Sequence, residues 1–502
     1  MDFSLISNTF ITIFTTDVFF YCILGVVAGM VIGTLPGLSA TMGIAILTPL
    51  TFWLEPAQGM AVLLGIYNSA IWAGGISAIL INTPGTPHAA ATMLDGYPLS
   101  QKGRTKAALK IALEASTFGG IFSALALLFL GPQVAKIAAQ LGTAEYFMVC
   151  LFGLTIIAGV SGKSLVRGII SACLGLLIAC VGSDPMTGYD RFTFGSNRLY
   201  LGLDLAVCLI GLFALVEILS KAESRAKAQN MDTSKLKDDG RITKDEYKRM
   251  FLPTLISSFI GVMVGIIPGT GASEASWFSY NTAKNMSKHP EEYGHGSVEG
   301  IAAAESANNA VTGATLIPLL TLGIPGDGRV AIMLSALMIN GLNPGLSLFT
   351  TQGDIMYAIM IGLIVINIFM QIQGQLLTPF FAKVVSIPEE ILTPIIVIFC
   401  FAGAYSVNEN YFDVGVALVF TVLAWILRKI DLPPVPILLG LVLGKMTETN
   451  FRRALLVSDG DPSIFFSSIY CKIFVVLIIV ALAAIIRGKI KDRQAEKAAH
   501  AE

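Results

Sequence analysis

Four short stretches of the chain combine residue types that can hold ions inside a hydrocarbon environment. They are Leu35-Pro36-Gly37-Leu38-Ser39, Asn82-Thr83-Pro84-Gly85-Thr86, Ile267-Pro268-Gly269-Thr270 and Gly323-Ile324-Pro325-Gly326. Each interrupts an apolar segment. Proline removes a backbone donor and clashes with the preceding turn, and glycine loosens the residues after it, so no regular helix runs through these sites. In lipid the released backbone groups must find partners, so such breaks persist where they line a cavity or meet a ligand. A broken helix turns its positive N-terminal end toward an anion and offers carbonyls at its C-terminal end to a cation.

The flanking side chains fit both roles. Amide and hydroxyl oxygens are neutral ligands suited to an alkali cation, while hydroxyl, amide and backbone donors suit a carboxylate. The expected substrate-anion set is Asn82, Thr83, Pro84, Gly85, Thr86 and His88, facing Pro325, Gly326 and Arg329. The expected ion set is Gly37, Ser39, Asn68 and Ser69 in the first half, and Gly269, Thr270, Asn308, Asn309 and Thr312 in the second, with Na+ as the suspected ion. Ser273 and Ser276 stand near the latter. Glu274, Glu305 and Asp327 are charged groups in apolar surroundings, where an ionisable residue points to function by default. No GxSxG, HExxH, Walker A or GxGxxG motif is present, so neither enzyme chemistry nor ATP or another cofactor is expected.

These residues must be carried by membrane helices. Of 502 residues 54% are hydrophobic and only 13% charged, about half the usual charged share of a soluble protein. Val18 to Leu54 and Ile355 to Ala382 contain no charged residue, and each is long enough for a ~30 Å hydrocarbon core. The predicted fold is an all-α polytopic membrane protein with roughly 11 to 15 membrane segments, some of them re-entrant. The net charge of −1 argues against nucleic acid. The seven cysteines form no CxxC pair, so no zinc site or disulfide framework is expected.

Two halves emerge. Gly29 to Gly37 matches Gly261 to Gly269 at a displacement of 232 positions; Pro84 matches Pro325, and Asn68 matches Asn309, at 241. Arg329 then aligns with His88. Basic residues follow the first hairpin (Lys102, Arg104, Lys106, Lys110), but its counterpart, Asn340 to Asp354, has none. The Lys163 and Arg167 loop is matched by the acidic loop Ala404 to Asp413. Because basic loops are retained in the cytoplasm, the second half is expected upside down relative to the first. Inverted-topology repeats are a mark of secondary transporters. The expected organisation is a first repeat over residues 1–219, a charged cytoplasmic linker over 220–250, a second repeat over 251–460, and a last helix with a cytoplasmic tail over 461–502. Ala404 to Asp413 is expected outside; Lys136, Arg191, Arg198, Lys445, Arg452 and Arg453 break the pattern.

The combination Gly33-Thr-Leu-Pro-Gly-Leu-Ser-Ala40, Asn82-Thr-Pro-Gly-Thr-Pro87, Gly265-Ile-Ile-Pro-Gly-Thr-Gly-Ala272, Glu305-Ser-Ala-Asn-Asn-Ala-Val-Thr-Gly313 and Gly323-Ile-Pro-Gly326 resembles the large membrane subunit of the tripartite tricarboxylate transporters, the TctA type, over nearly the whole chain. The resemblance implies a multi-pass permease of the bacterial inner membrane. It would work with a small four-helix membrane subunit (TctB type) and a periplasmic solute-binding protein (TctC type). It implies secondary uptake of citrate-like carboxylates or related organic anions, with sodium as the coupling ion. By analogy an elevator-like movement is expected; a gradient-driven channel or a permease for another carboxylate class is the alternative.

Overall fold

The computed structural model describes residues 9, 11, 13, 17–35, 38–160, 164–224, 238–384 and 389–499. Pro36 and Gly37 lie outside the described residues, as do residues 225–237 of the predicted linker.

The chain is an α-helical polytopic membrane protein. Its first part runs through α1 (Val18–Thr34), α2 (Ala40–Thr51), α3 (Pro56–Ile81), α4 (Ala89–Gln101), α5 (Thr105–Ala138), α6 (Thr143–Val160) and α7 (Leu165–Ala179). A two-stranded hairpin follows, β1 (Gly182–Ser183) with β2 (Asp190–Arg191). Then come α8 (Leu205–Leu209), a π-helical segment (Ile210–Leu215) and α9 (Val216–Ser224). The second part has α10 (Lys244–Ile266), α11 (Ala272–Met286), α12 (Val298–Ala314), α13 (Leu316–Leu322), α14 (Gly328–Ile339), α15 (Leu346–Thr351), α16 (Gly353–Val384), α17 (Glu389–Asn408), α18 (Tyr411–Lys429), α19 (Pro434–Val457) and α20 (Ile469–Ala499).

Among the described residues six helices are long and apolar enough to cross a membrane: α3, α5, α10, the Gly353–Thr378 part of α16, α18 and the Ile469–Arg487 part of α20. Seven shorter apolar helices accompany them. The apolar stretch 300–322 is divided at Thr315 into α12 and α13. Two helices arise where the sequence suggested only hairpin loops, α4 and α14. The linker read over 220–250 becomes helix from Lys244 onward.

Local signals fix the ends. Ser39 caps α2 by accepting the Met42 N–H at 3.2 Å. Glu55 and Gln58 form a capping box at α3, with Pro56 in the first turn. Thr243 and Glu246 do the same for α10. Asn82 and Gly323 close α3 and α13 in the left-handed conformation, with φ 56° and 73°.

Helices α3 and α12 sit at the centre. Every residue of α12 is buried, and only the two ends of α3 are less than fully covered. Close approach depends on small residues, as is common between membrane helices. A Cβ at Gly33 would stand 2.3 Å from the Ala70 carbonyl oxygen, and one at Gly119 would stand 2.0 Å from that of Ser306. Outside this centre α19 packs on α6 and α7, and α20 on α6.

Ion pairs order the two ends of the bundle. At one end Arg104 meets Glu246 at 2.6 Å, and the Asp238 carboxylate accepts the Lys106 and Ala107 N–H groups at 2.8 and 3.1 Å, tying the linker's end to the start of α5. At that end Arg428 also pairs with Glu217 at 2.8 Å and Arg167 with Asp431 at 3.0 Å. At the opposite end Arg191 and Arg452, two exceptions to the charge pattern, are neutralised in one cluster. Arg191 binds Glu448 at 2.9 Å, and Arg452 binds Asp184 at 2.7 Å and Glu448 at 2.9 Å. The Arg452 guanidinium and the Met186 N–H hold the Asp184 carboxyl well below the usual carboxylate range. A balanced cluster carries no net positive charge to retain.

A direct test of sidedness uses Lys288→Cys and Glu409→Cys, two exposed positions at opposite ends, on a background without the seven native cysteines. In intact cells an impermeant thiol reagent should label only the Glu409→Cys protein. Equal labelling of both would refute opposite placement of these loops.

Candidate functional site

Residues in or beside all four Pro-Gly regions meet around one cavity of about 400 Å³, within the size range of small-molecule sites. The first half contributes Ser39, Ala40 and Thr41 from the start of α2, and Gly85, Pro87 and His88 from the α3–α4 turn. The second half contributes Ser273 beside the Pro268-Gly269 break and Asp327, Gly328 and Arg329 at the head of α14. Phe213 of the π-helical segment closes one wall, and Glu217 and Arg428, each about one-third exposed, stand toward the end that carries Arg104.

The breaks support one another directly. The Gly85 N–H donates to the Gly74 carbonyl at 3.2 Å, bringing the turn back along α3. A Cβ on Gly85 would be 2.8 Å from the Gly33 carbonyl oxygen and 2.7 Å from Ser77 Oγ. In the second half the Gly269 N–H donates to the Gly326 carbonyl at 2.7 Å. A Cβ on Gly326 would press on Thr315, 2.8 Å from its Cβ.

At the head of α14 Asp327 has two tasks. Its Oδ1 accepts the Arg329 and Val330 N–H groups, each at 2.9 Å, which caps the helix. Its Oδ2 takes the Arg329 guanidinium at 2.6 Å and the Tyr67 hydroxyl at 3.2 Å. The guanidinium carbon lies 5.2 Å from the centre of the Tyr67 ring, within cation–π range. Arg329 Nη1 has no protein acceptor, His88 Nε2 has no partner, and both residues are nearly buried. A guanidinium donor without an acceptor thus belongs to a residue lining the cavity, an arrangement that suits an anion.

A second polar cluster lies on the side of α3 and α12 facing α16. Asn68 Nδ2 donates to Asn367 Oδ1 at 3.0 Å, and Asn68 Oδ1 accepts from Thr312 Oγ1 at 3.1 Å. Asn68 and Asn309 both direct an amide toward Met370 Sδ, at 3.5 and 3.7 Å. Asn309 Oδ1 and both polar atoms of Asn308 are buried without protein partners.

The structure therefore sorts the predicted residues. Ser39, Gly85, His88 and Arg329 line the cavity. Asn68, Asn309 and Thr312 form the amide cluster, and Asn308 is buried on the same helix. Ser69 instead donates to the Val26 and Gly65 carbonyls at 2.9 and 2.7 Å, joining α1 to α3. Thr270 donates to the Ile267 carbonyl at 2.8 Å, Gly269 and Gly326 are joined through their backbones, and all of these, with buried Pro325, lie outside the cavity lining. Asn82 is an exposed helix terminator, Thr83 and Pro84 are half-buried outside the cavity lining, and Thr86 is buried against Gly74. Gly37 lies outside the described residues. The reading of residue types missed Tyr67, Phe213, Asn367 and Met370; of these only Asn367, an amide within an apolar run, gave any signal. Among the described residues no cluster of three His, Cys, Asp or Glu could hold a metal ion.

Residues 19–439 match a family model described as the tripartite tricarboxylate transporter TctA family. The chain is 36% identical over 466 residues to an uncharacterised 52.8 kDa protein in the TAR-I ttuC' 3' region of Agrobacterium vitis, covering 93% of this chain and 92% of that one. It is 39% identical over 233 residues to an uncharacterised protein in the TAR-II ttuC' 3' region of the same organism, covering 46% of this chain and 96% of that one. No solved structure matches.

Proposed function

The chain belongs to the tripartite tricarboxylate transporter TctA family, and from that premise we propose that it is the permease of a secondary carboxylate uptake system in the bacterial inner membrane. The observation that carries this reading is the cavity in which Gly85 and His88 of one half face Asp327 and Arg329 of the other. A citrate-like anion would place one carboxylate toward the Gly85 turn and another toward Arg329. The cavity holds both charge signs, which suits a site that must release what it binds. The partners are a small membrane subunit of TctB type and a periplasmic binding protein of TctC type.

Packing at matched positions supports two related halves. Gly29 meets Ile66 and Gly33 meets Ala70, while Gly261 meets Ala307 and Gly265 meets Val311, each at the displacements read from the sequence. The left-handed terminators Asn82 and Gly323 match at the same displacement, as do the contacts of Gly85 with Gly74 and of Gly326 with Thr315. Half-helix α4 leads to the Arg104 end, whereas α14 runs to the opposite end, where Met338 and Ile339 neighbour Asn197 and Asn410. That opposition supports inverted repeats and re-entrant hairpins. With basic loops inside, the cavity opens to the cytoplasm, and alternating access proceeds by an elevator-like shift of the hairpin-bearing part.

Sodium is the coupling ion in this reading. Buried Asn309 Oδ1 and Asn308 Oδ1 offer unused neutral oxygens, the ligand type an alkali cation takes. Vesicles containing all three components should take up labelled citrate faster under an inward sodium gradient. Asn309→Ala should raise the sodium concentration for half-maximal uptake about tenfold, the equivalent of about 1.4 kcal/mol. Absence of carboxylate uptake would refute the permease; an unchanged sodium dependence in Asn309→Ala would refute the ion assignment alone.

A further inference from the structure

Glu305 belongs to neither the cavity nor the amide cluster. It lies at the centre of α12 with 0% of its surface exposed. Thr92 Oγ1 of α4 donates to Oε1 at 2.6 Å, and Ser116 Oγ of α5 donates to Oε2 at 2.6 Å. Gly75 of α3 closes the third side, where a Cβ would stand 2.9 Å from Oε1. Among the described residues Glu305 has no ion pair.

The charged groups on the elements packed around α12 are either paired with other partners or placed toward the helix ends. Asp95 of α4 accepts from Tyr280 and from the N–H groups of Gly294, Gly296 and Ser297. Glu114 of α5 takes the Tyr247 hydroxyl and faces Lys110 at 3.9 Å. Glu274 of α11 caps its own helix through the Gly271 N–H. Glu299, six residues earlier on α12, binds Arg249 of α10, which also binds Glu292. Lys106 and Lys136 lie in the first and last turns of α5, Lys284 in the last turn of α11, and Lys244, Asp245, Glu246 and Lys248 in the first two turns of α10, away from Glu305 along their helices. Helices α3 and α13 carry no charged side chain.

A buried carboxylate without a cation is strongly unfavourable. A monovalent cation bound to it removes that penalty. Both carboxyl oxygens already accept from a hydroxyl at 2.6 Å; an alkali ion would have to compete with those donors, whereas a proton is accommodated by the same hydroxyls. The same hydroxyls serve both states. With the carboxyl ionised, Thr92 and Ser116 each donate to it. With a proton on Oε2, that O–H donates to Ser116 Oγ, and Ser116 turns its own proton to the Glu305 main-chain carbonyl, 3.4 Å away. Thr92 goes on donating to Oε1.

We propose that Glu305 is a proton-binding site whose loading and release accompany the transport cycle. On loading, a proton from water forms the Oε2–H bond; on release that bond breaks, the proton returns to water on the other side, and the electron pair stays on the carboxylate. The proposal rests on the permease reading but not on the sodium assignment, since one carrier can couple to both ions.

The test uses vesicles with all three components, labelled citrate, and a pH gradient imposed at constant membrane potential. One pH unit is worth about 1.4 kcal/mol per proton, hence about tenfold in accumulation. Wild-type protein should gain about that factor; Glu305→Gln should gain none while still exchanging internal for external citrate. Titration of citrate itself is common to both and drops out of the comparison. An equal response of both proteins to the pH gradient overturns the proposal. If Glu305→Gln does not reach the membrane, Thr92→Val carries the test. Removing a donor from the ionised form should raise the pH of half-maximal uptake by about one unit, and an unmoved midpoint overturns the proposal. No citrate exchange in wild-type vesicles would instead refute the permease reading itself.

Discussion

Arg329→Gln is expected to abolish gradient-driven uptake while the protein still reaches the membrane. Arg329 and Asp327 are each 8% exposed, and their contact at 2.6 Å is the more buried of the two charge pairs lining the cavity, the other being Arg428 with Glu217. Removing one partner of a buried pair costs about 3–5 kcal/mol, because the other charge is left uncompensated. Here the cost should fall near the low end of about 3 kcal/mol, since Asp327 keeps the Arg329 and Val330 N–H groups and the Tyr67 hydroxyl. Uptake should suffer more than stability, because glutamine offers a multiply charged substrate no positive charge. The double variant Arg329→Gln/Asp327→Asn separates the two effects. It removes both charges, so thermal stability should recover toward wild type while uptake stays absent. Wild-type substrate dependence in Arg329→Gln would mean that the anion site is elsewhere and that the pair serves only to cap α14.

That experiment bears on a residue the sequence could place but not equip. Arg329 was visible as the partner of His88 at a repeat displacement, and Asp327 as its neighbour two residues away. The Tyr67 contact was invisible, because a tyrosine inside an apolar helix looks like ordinary core and its partners lie some 250 residues on. The Pro-Gly breaks were legible because their chemistry forbids a continuous helix whatever the surroundings. Helices α4 and α14 were not. The stretch Ala89–Gln101 carries Asp95, Gly96 and Pro98, which read as loop until the three N–H groups and the hydroxyl that satisfy Asp95 are known. Arg191 and Arg452 looked like violations of charge placement, since the contacts that draw them into one cluster, Arg191 with Glu448 and Arg452 with Asp184, span 257 and 268 positions of the chain. The amide cluster joins α3, α12 and α16, and the sequence offered its members without the helix faces that bring them to Met370.

The breaks themselves yield the second large effect. Gly85→Ala should abolish uptake, although alanine is the smallest side chain that can be added and the φ of Gly85 is not in the left-handed region. The added Cβ would stand 2.8 Å from the Gly33 carbonyl oxygen and 2.7 Å from Ser77 Oγ. Real Cβ atoms do not approach that closely. Serine can rotate away, but the Gly33 carbonyl is backbone at the end of α1, whose own Cβ position is pressed on Ala70 of α3. The turn must therefore retreat, stretching the Gly85 to Gly74 hydrogen bond and withdrawing the cavity wall beside His88. Overpacking of this sort costs about 1–3 kcal/mol, so the protein should still fold, while a site positioned to within an ångström loses its geometry. Gly362→Ala is the matched control: it adds the same methyl group to α16, where nothing lies within 4 Å, and should transport normally. Gly326→Ala should resemble Gly85→Ala more weakly, since the obstacle there is the Thr315 side chain at 2.8 Å. Uptake by Gly85→Ala equal to that of Gly362→Ala would show that the turn is a hinge or packing feature and forms no part of the binding site.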